Sequence, residues 1–327
     1  MNCHADIYFS VDSRCARLHR MGQCNRRWVT VAATTTLTER GGFLIVYNAL
    51  TALLKRDGLP PFGIVATVVL PGGCQLNCPF CIVNQRGERE ERSNVSADHL
   101  TALLRSLERN GALGAAAIVG DEPLQDHCWP MAKAFLAKAA DGRVPTAMIT
   151  NGYNLIDFIE ELRSLENTKF VVSLDAANSQ HDEIRRKPGA FARISKGLEL
   201  AASYPDLRER LSIAAILMPG NLHAISGIIE FTAHLKIPQL LLSPLLTSSR
   251  TTPLAVHPRI MRDAWQELPL FLRQANSAGV KLRVSDEFGV LGQWNDKLAA
   301  AAEIEIVAPS EPARLPSCAQ CSISDLP

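Results

Sequence analysis

The sequence predicts an α/β fold built on a mostly parallel sheet, and three observations carry the prediction. From Ile64 onward, short apolar runs alternate with longer segments of helical period, the pattern of repeated βα units. The runs are mostly continuous rather than alternating, as expected of strands covered on both faces. Six such units follow one another, so right-handed crossovers would lay six parallel strands side by side. At this level a curved partial barrel and an open doubly wound sheet are both compatible with the pattern.

Taken in order, residues 1–40 carry Cys3, Cys15 and Cys24 among arginines and polar residues without a sustained period. They read as a peripheral, partly disordered extension. From Phe43 to Lys55, Leu44, Val46, Tyr47, Leu50, Leu53 and Leu54 recur at helical spacing, and Gly58-Leu59-Pro60-Pro61 ends the segment. Strands are expected at Ile64–Leu70, Ala115–Val119, Thr146–Thr150, Lys169–Leu174, Leu211–Leu217 and Leu240–Pro244, with a further short one at Val280–Val284. Helices are expected at Ser96–Leu107, Trp129–Ala139, Ile156–Leu165, Phe191–Ala202, Leu222–Leu235 and Pro258–Ala275; Pro130 falls in a first turn, where its missing N–H costs nothing. The chain so divides into an extension over 1–60 with one short helix, a core domain over 61–285, and a C-terminal extension over 286–327.

Composition narrows the function classes. With 34 basic and 33 acidic residues in 327, the net charge is +1, and no surface for nucleic acid or anionic membrane is implied. No stretch approaches the roughly 18 consecutive apolar residues of a membrane span. Asp6, Asp12, Arg14, Arg17, Arg20, Arg26 and Arg27 interrupt the first thirty residues and spoil a secretory apolar region, so a cytoplasmic protein is expected. In a reducing compartment, nine cysteines without disulfide-like regularity read as metal ligands or buried thiols.

The chemistry concentrates in Gly72-Gly73-Cys74-Gln75-Leu76-Asn77-Cys78-Pro79-Phe80-Cys81, directly after the first strand. Three thiols spaced C-x3-C-x2-C on one loop can converge on a single inorganic centre. Cubane iron–sulfur clusters normally take four thiolates, so three leave one iron open to a ligand that is not protein. Zinc prefers four ligands in two separated pairs, which this spacing does not supply, and disulfides would need an oxidising compartment. Other polar motifs fall at strand C-termini, where parallel α/β folds bind ligands: Gly120 to Pro123, Asn151-Gly152, Ser173 with Asp175, Pro219-Gly220-Asn221, and Ser243-Pro244.

The cysteine spacing, with an aromatic residue before the third Cys, resembles the signature of the radical S-adenosylmethionine (radical SAM) superfamily. Gly120-Asp121-Glu122-Pro123 is similar to that superfamily's Gly-Gly-Glu-Pro turn, with Asp121 in the place of a glycine. Ser173-Leu174-Asp175 with His181-Asp182 and Arg185 resembles its strand-end and arginine segment. The resemblance implies a partial (β/α)6 barrel. It implies a [4Fe-4S] cluster held by Cys74, Cys78 and Cys81, with S-adenosyl-L-methionine chelating the fourth iron. It further implies cofactor contacts from Phe80 to the adenine edge, from Gly120 and Glu122 to the methionine ammonium, from Asn151 to a ribose hydroxyl, from Ser173 to the ribose or carboxylate, and from Arg185 to the carboxylate.

The implied reaction is reductive cleavage of S-adenosylmethionine, fed by a partner such as flavodoxin or ferredoxin. The resulting 5′-deoxyadenosyl radical would abstract a hydrogen atom from a peptide or small-molecule substrate. The alternative is a non-catalytic iron–sulfur or electron-transfer protein that keeps the fold, a reading to which Asp121 lends weight. Cys318 and Cys321 form a C-x2-C pair like those that hold an auxiliary cluster in many relatives, the other reading being a tail with incidental thiols.

Overall fold

The computed structural model of the chain describes residues 6–10, 64–70, 73–81, 113–120, 122–141, 145–218, 220–245, 258–285 and 306–307. Its strands are β1 (Asp6–Ser10), β2 (Ile64–Leu70), β3 (Leu113–Gly120), β4 (Thr146–Thr150), β5 (Thr168–Ser173), β6 (Leu211–Leu217), β7 (Gln239–Pro244), β8 (Lys281–Ser285) and β9 (Ile306–Val307). They form one sheet in the order β1 to β9. Only β1 runs antiparallel, against β2, and every other pairing is parallel.

That strand order decides between the two readings the pattern left open. A doubly wound sheet reverses its order at a switch point, whereas here each described strand lies beside its predecessor, so crossovers of one hand put the described helices on one face. The architecture is α/β, with six consecutive parallel strands, β2 to β7, at its centre. Phe170, Ile118 and Met148 are fully buried on the helix-covered side. Each contributes roughly 1.5–3 kcal/mol by leaving water. Their strand neighbours Ala117, Ala147 and Val171, and Leu241 of β7, are also buried yet lie outside that helix-packed cluster, on the opposite face.

The helices follow their apolar stripes. In α1 (Trp129–Asp141) the buried residues Ala132, Phe135, Leu136 and Ala139 recur at i, i+3, i+4 and i+7. Two short helices, α2 (Ile159–Arg163) and α3 (Gln180–Arg185), precede α4 (Ala190–Ser203). In α4, Ala190, Ile194, Gly197, Leu198 and Ala201 make the stripe, and a Cβ on Gly197 would stand 3.1 Å from the Ile156 amide, so the glycine permits close approach. After α5 (Pro205–Arg208) come α6 (Ile225–His234) and α7 (Pro258–Ser277).

All expected strands appear, within two residues of their anticipated bounds. The Ile156–Leu165 segment splits into a 3-10 turn, Leu155–Asp157, and α2; Leu222–Leu235 likewise begins with a 3-10 turn, Leu222–Ala224. Strand β1 lies within the stretch read as an extension without a sustained period: Ile7, Tyr8 and Phe9 are too few to display alternation, and Asp6–Ser10 pairs in register with Val69–Val65. Helices α3 and α5, of six and four residues, were missed for the same reason. The helices expected over 43–55 and 96–107 lie outside the described residues, as does Asp121.

Candidate active site at the carboxyl ends of the strands

The loop Gly73–Cys81 leaves β2 at the sheet's C-terminal edge and is fastened to its neighbours through the backbone. The Gly73 carbonyl, in a residue with φ +80°, accepts hydrogen bonds from Glu122 N at 3.2 Å and Gln125 Nε2 at 2.8 Å. Asn77 N donates to the Arg185 carbonyl at 3.1 Å. Leu76 and Phe80 turn into the core. Cys78 is buried, and Cys74 and Cys81 are half-buried.

Two of the three sulfurs accept from side chains far away in sequence. Asn151 Nδ2, just past β4, donates to Cys74 Sγ at 3.1 Å, and Leu76 N approaches the same sulfur at 3.5 Å. Arg185 Nη1 lies 3.8 Å from Cys78 Sγ. Burial pushes the Cys74 thiol up to about 11 and raises that of Cys78 as well, against the lowering influence of the Arg185 charge. Thiols of this kind become good ligands when a metal displaces their protons. Among the described residues no three His, Cys, Asp or Glu side chains surround a single metal-ion position. Thiolates of a cubane bind separate irons, so that grouping is not what a cluster requires.

Glu122 ties two strand ends together. Its carboxylate, 1% exposed, accepts from Leu124 N at 2.9 Å, Thr150 Oγ1 at 2.5 Å and Asn151 N at 2.7 Å. It therefore clamps the end of β3 to the end of β4. Desolvation still outweighs these donors and carries its carboxyl up to about 7. Asn151 is held from both sides, because its Oδ1 also accepts from Tyr153 N at 2.7 Å. The next residue must be glycine: Gly152 has φ +77°, and a Cβ there would stand 2.6 Å from Val172 Cγ1.

Arg185 is buried rather than presented to solvent. Its Nε donates to Asp175 Oδ2 at 2.5 Å, and its guanidinium lies 5.2 Å from the centroid of the Phe80 ring. Asp175, fully buried, accepts at its other oxygen from Ile216 N at 2.9 Å, while its own N–H donates to His181 Nδ1 at 3.1 Å. Asn221 Nδ2 donates to the Asp175 carbonyl at 3.0 Å. Ser173 closes β5 opposite Ala214, half-buried, on the face opposite the core residue Val172. Gly120 closes β3 opposite Leu70. The ends of β2 to β6 are thus brought together, whereas Cys318 and Cys321 lie outside the described residues.

Gln125 was not singled out by sequence, and Asp175 and Asn221 were placed at strand ends without an assigned role; each acts by fastening one strand end to another. A charged residue one or two positions past a predicted strand was the available signal for Asp175.

His181 yields a pH prediction. Burial and the neighbouring Arg185 charge lower its pKa from 6.5 to about 4, so between these values the unfolded chain binds more protons than the folded one. Stability from this residue is complete above pH 6.5 and is lost as pH falls towards 4, by at most about 3 kcal/mol. Glu122 slopes the other way over pH 4.5–7, so the effect is read as a difference. Urea unfolding of the chain and of His181→Asn, which keeps an acceptor for the Asp175 N–H, should diverge in the acidic window and run parallel above it.

Comparison with known protein families places the chain. The model of the "Radical SAM superfamily" matches residues 68–231, half of the chain, from within β2 to within α6. The chain belongs to the radical SAM superfamily. Members of that superfamily are enzymes, and the radical SAM fold implies a [4Fe-4S] cluster and S-adenosylmethionine. A sequence search of curated proteins finds no significant match.

Solved structures resemble this radical SAM chain in fold. Streptococcus suis SuiB bound to its precursor peptide SuiA superposes with a TM-score of 0.57 at 18% identity, covering 86% of this chain and 62% of SuiB. SuiB bound to S-adenosylmethionine gives 0.53 at 18% identity, over 83% and 60% of the two chains. Histidine-tagged anSMEcpe with bound AdoMet gives 0.54 at 14% identity, over 71% and 65%. This radical SAM chain thus spans less than two thirds of the length of these neighbours. Among its described residues no helix is long and apolar enough to cross a membrane.

Proposed function

We propose that Cys74, Cys78 and Cys81 hold a [4Fe-4S] cluster and that the chain is a catalytically active radical SAM enzyme acting on a peptide or small-molecule substrate. The observation that carries this reading is the pair of donors, Asn151 and Arg185, that reach two of the cysteine sulfurs from other strand ends. A loop of incidental thiols has no need of such partners. The donor set fits the group: three free thiols on one loop, one short of a cubane's four.

When bound, the cluster and S-adenosylmethionine supply a one-electron reductive cleavage and a carbon-centred radical that abstracts a hydrogen atom from substrate. The chain's own part is to bind, orient and exclude water. Gly73, Glu122 and Gln125 fix the cysteine loop against the β3 end, and Leu76 and Phe80 seal it from below. Gly120 and the backbone of the following turn are assigned to the methionine ammonium, and half-buried Ser173 to the ribose or carboxylate of the nucleotide. Glu122 supports that turn rather than touching the ligand, and Asn151 serves the cysteine loop rather than a ribose. Arg185 pairs with Asp175 through Nε and turns Nη1 to Cys78, and its remaining N–H groups are assigned to the carboxylate.

The electron comes from a low-potential donor of the flavodoxin or ferredoxin kind. The test is anaerobic reconstitution followed by dithionite and S-adenosylmethionine. Formation of 5′-deoxyadenosine is expected, and a fully loaded protein that forms none contradicts the reading. Iron and sulfide counts above one cubane per chain in the same preparation, lost when Cys318 and Cys321 are replaced by alanine, are expected if those two residues hold an auxiliary cluster.

A further inference from the structure

Among the described residues, Asn151 and Arg185 are the side chains that donate to the cysteine sulfurs, and both are fixed in place. Asn151 N is held by Glu122 Oε2 and its Oδ1 by Tyr153 N, which leaves Nδ2 aimed at Cys74 Sγ and at Gln75 Oε1, 3.2 Å away. Arg185 is 7% exposed, with Nε on Asp175 and Nη1 towards Cys78 Sγ. The ion pair is therefore a buried dipole whose positive end faces the sulfur. Asp175 is in turn locked by Ile216 N, so the dipole cannot reverse.

The geometry points to a redox function for these two residues, resting on the cluster reading above: Asn151 and Arg185 raise the reduction potential of the bound cluster through its cysteine sulfurs. The step is uptake of one electron from the low-potential donor, which adds one negative charge to the cluster and breaks no bond. Hydrogen bonds to the sulfurs and a nearby positive charge stabilise the more negative, reduced form, and the low dielectric around buried groups strengthens both effects. The two donors come from the segments that follow β4 and β5. Arg185 and Asn151 act as positioning and tuning residues, not as groups that touch substrate.

The test is potentiometric titration of the reconstituted full chain without S-adenosylmethionine, read by electron paramagnetic resonance of the reduced cluster. Two variants are compared: Asn151→Leu, of similar shape without a donor, and the double variant Asp175→Asn with Arg185→Gln, which keeps a neutral hydrogen-bonded pair in place of the charged one. Each should lower the ratio of reduced to oxidised cluster at a fixed poise by about tenfold, equivalent to about 59 mV for one electron. An unchanged potential in a fully loaded variant overturns the inference while leaving the proposed function intact. A variant that folds but takes up no cluster overturns it too, because the residues would then be structural clamps. A parent chain that binds no cluster contradicts the proposed function instead.

Discussion

Alanine in place of Cys74, Cys78 or Cys81, each alone, is expected to abolish 5′-deoxyadenosine formation and to lower iron retention, with little change in the stability of the metal-free chain. The asymmetry follows from what each side chain contributes. Removing one buried heavy atom from a core costs roughly 1 kcal/mol, and Cys74 and Cys81 are only half-buried. The loop meanwhile keeps its backbone anchors at Gly73, Asn77 and Cys81. Loss of a thiolate leaves a cubane two ligands short, and Cys128, packed in the core beside α1, offers no replacement at the loop. The measurements are iron per chain, 5′-deoxyadenosine by chromatography, and urea unfolding of the metal-free protein. A variant with full turnover contradicts the assignment of its cysteine.

The largest stability effect is expected at Asp175. Asp175→Ala leaves the Arg185 guanidinium buried without its carboxylate and deprives Ile216 N of its acceptor. Breaking a buried ion pair from one side costs about 3–5 kcal/mol, because the surviving charge stays desolvated. The double change Asp175→Asn with Arg185→Gln should cost much less, since neither a lone charge nor an empty acceptor site remains. Denaturant unfolding of the three proteins gives the comparison. If Asp175→Ala costs no more than the double variant, Arg185 finds another partner and the ion pair does not organise the strand ends.

The strands could be read from sequence because each is a short, nearly continuous apolar run between polar breaks, a signal contained within the segment itself. Thr146–Thr150 and Leu211–Leu217 coincide with their expected bounds for that reason. Strand β1 could not be read this way, since Asp6–Ser10 is defined by its pairing with β2 and not by its own period. The cysteine loop was legible from its spacing, and the identity of the other motifs from their position after strands. What each motif does was not. Arg185 meets Cys78 across 107 residues, and Glu122 reaches Asn151 across 29, separations that leave no local trace. A carboxylate after β3 reads equally well as a ligand or as a clamp, and its three donors, which give it the clamping contacts, come from residues that no local pattern names.

The central claim is an iron–sulfur cluster bound at three corners by this loop, with a fourth corner open to S-adenosylmethionine. The most direct measurement is electron paramagnetic resonance of the anaerobically reconstituted, reduced protein before and after S-adenosylmethionine is added. Ligation at the open iron predicts a reduced-cluster signal that changes on addition. A cluster whose spectrum is identical in both samples, or a purified protein that carries zinc and no iron, would contradict it.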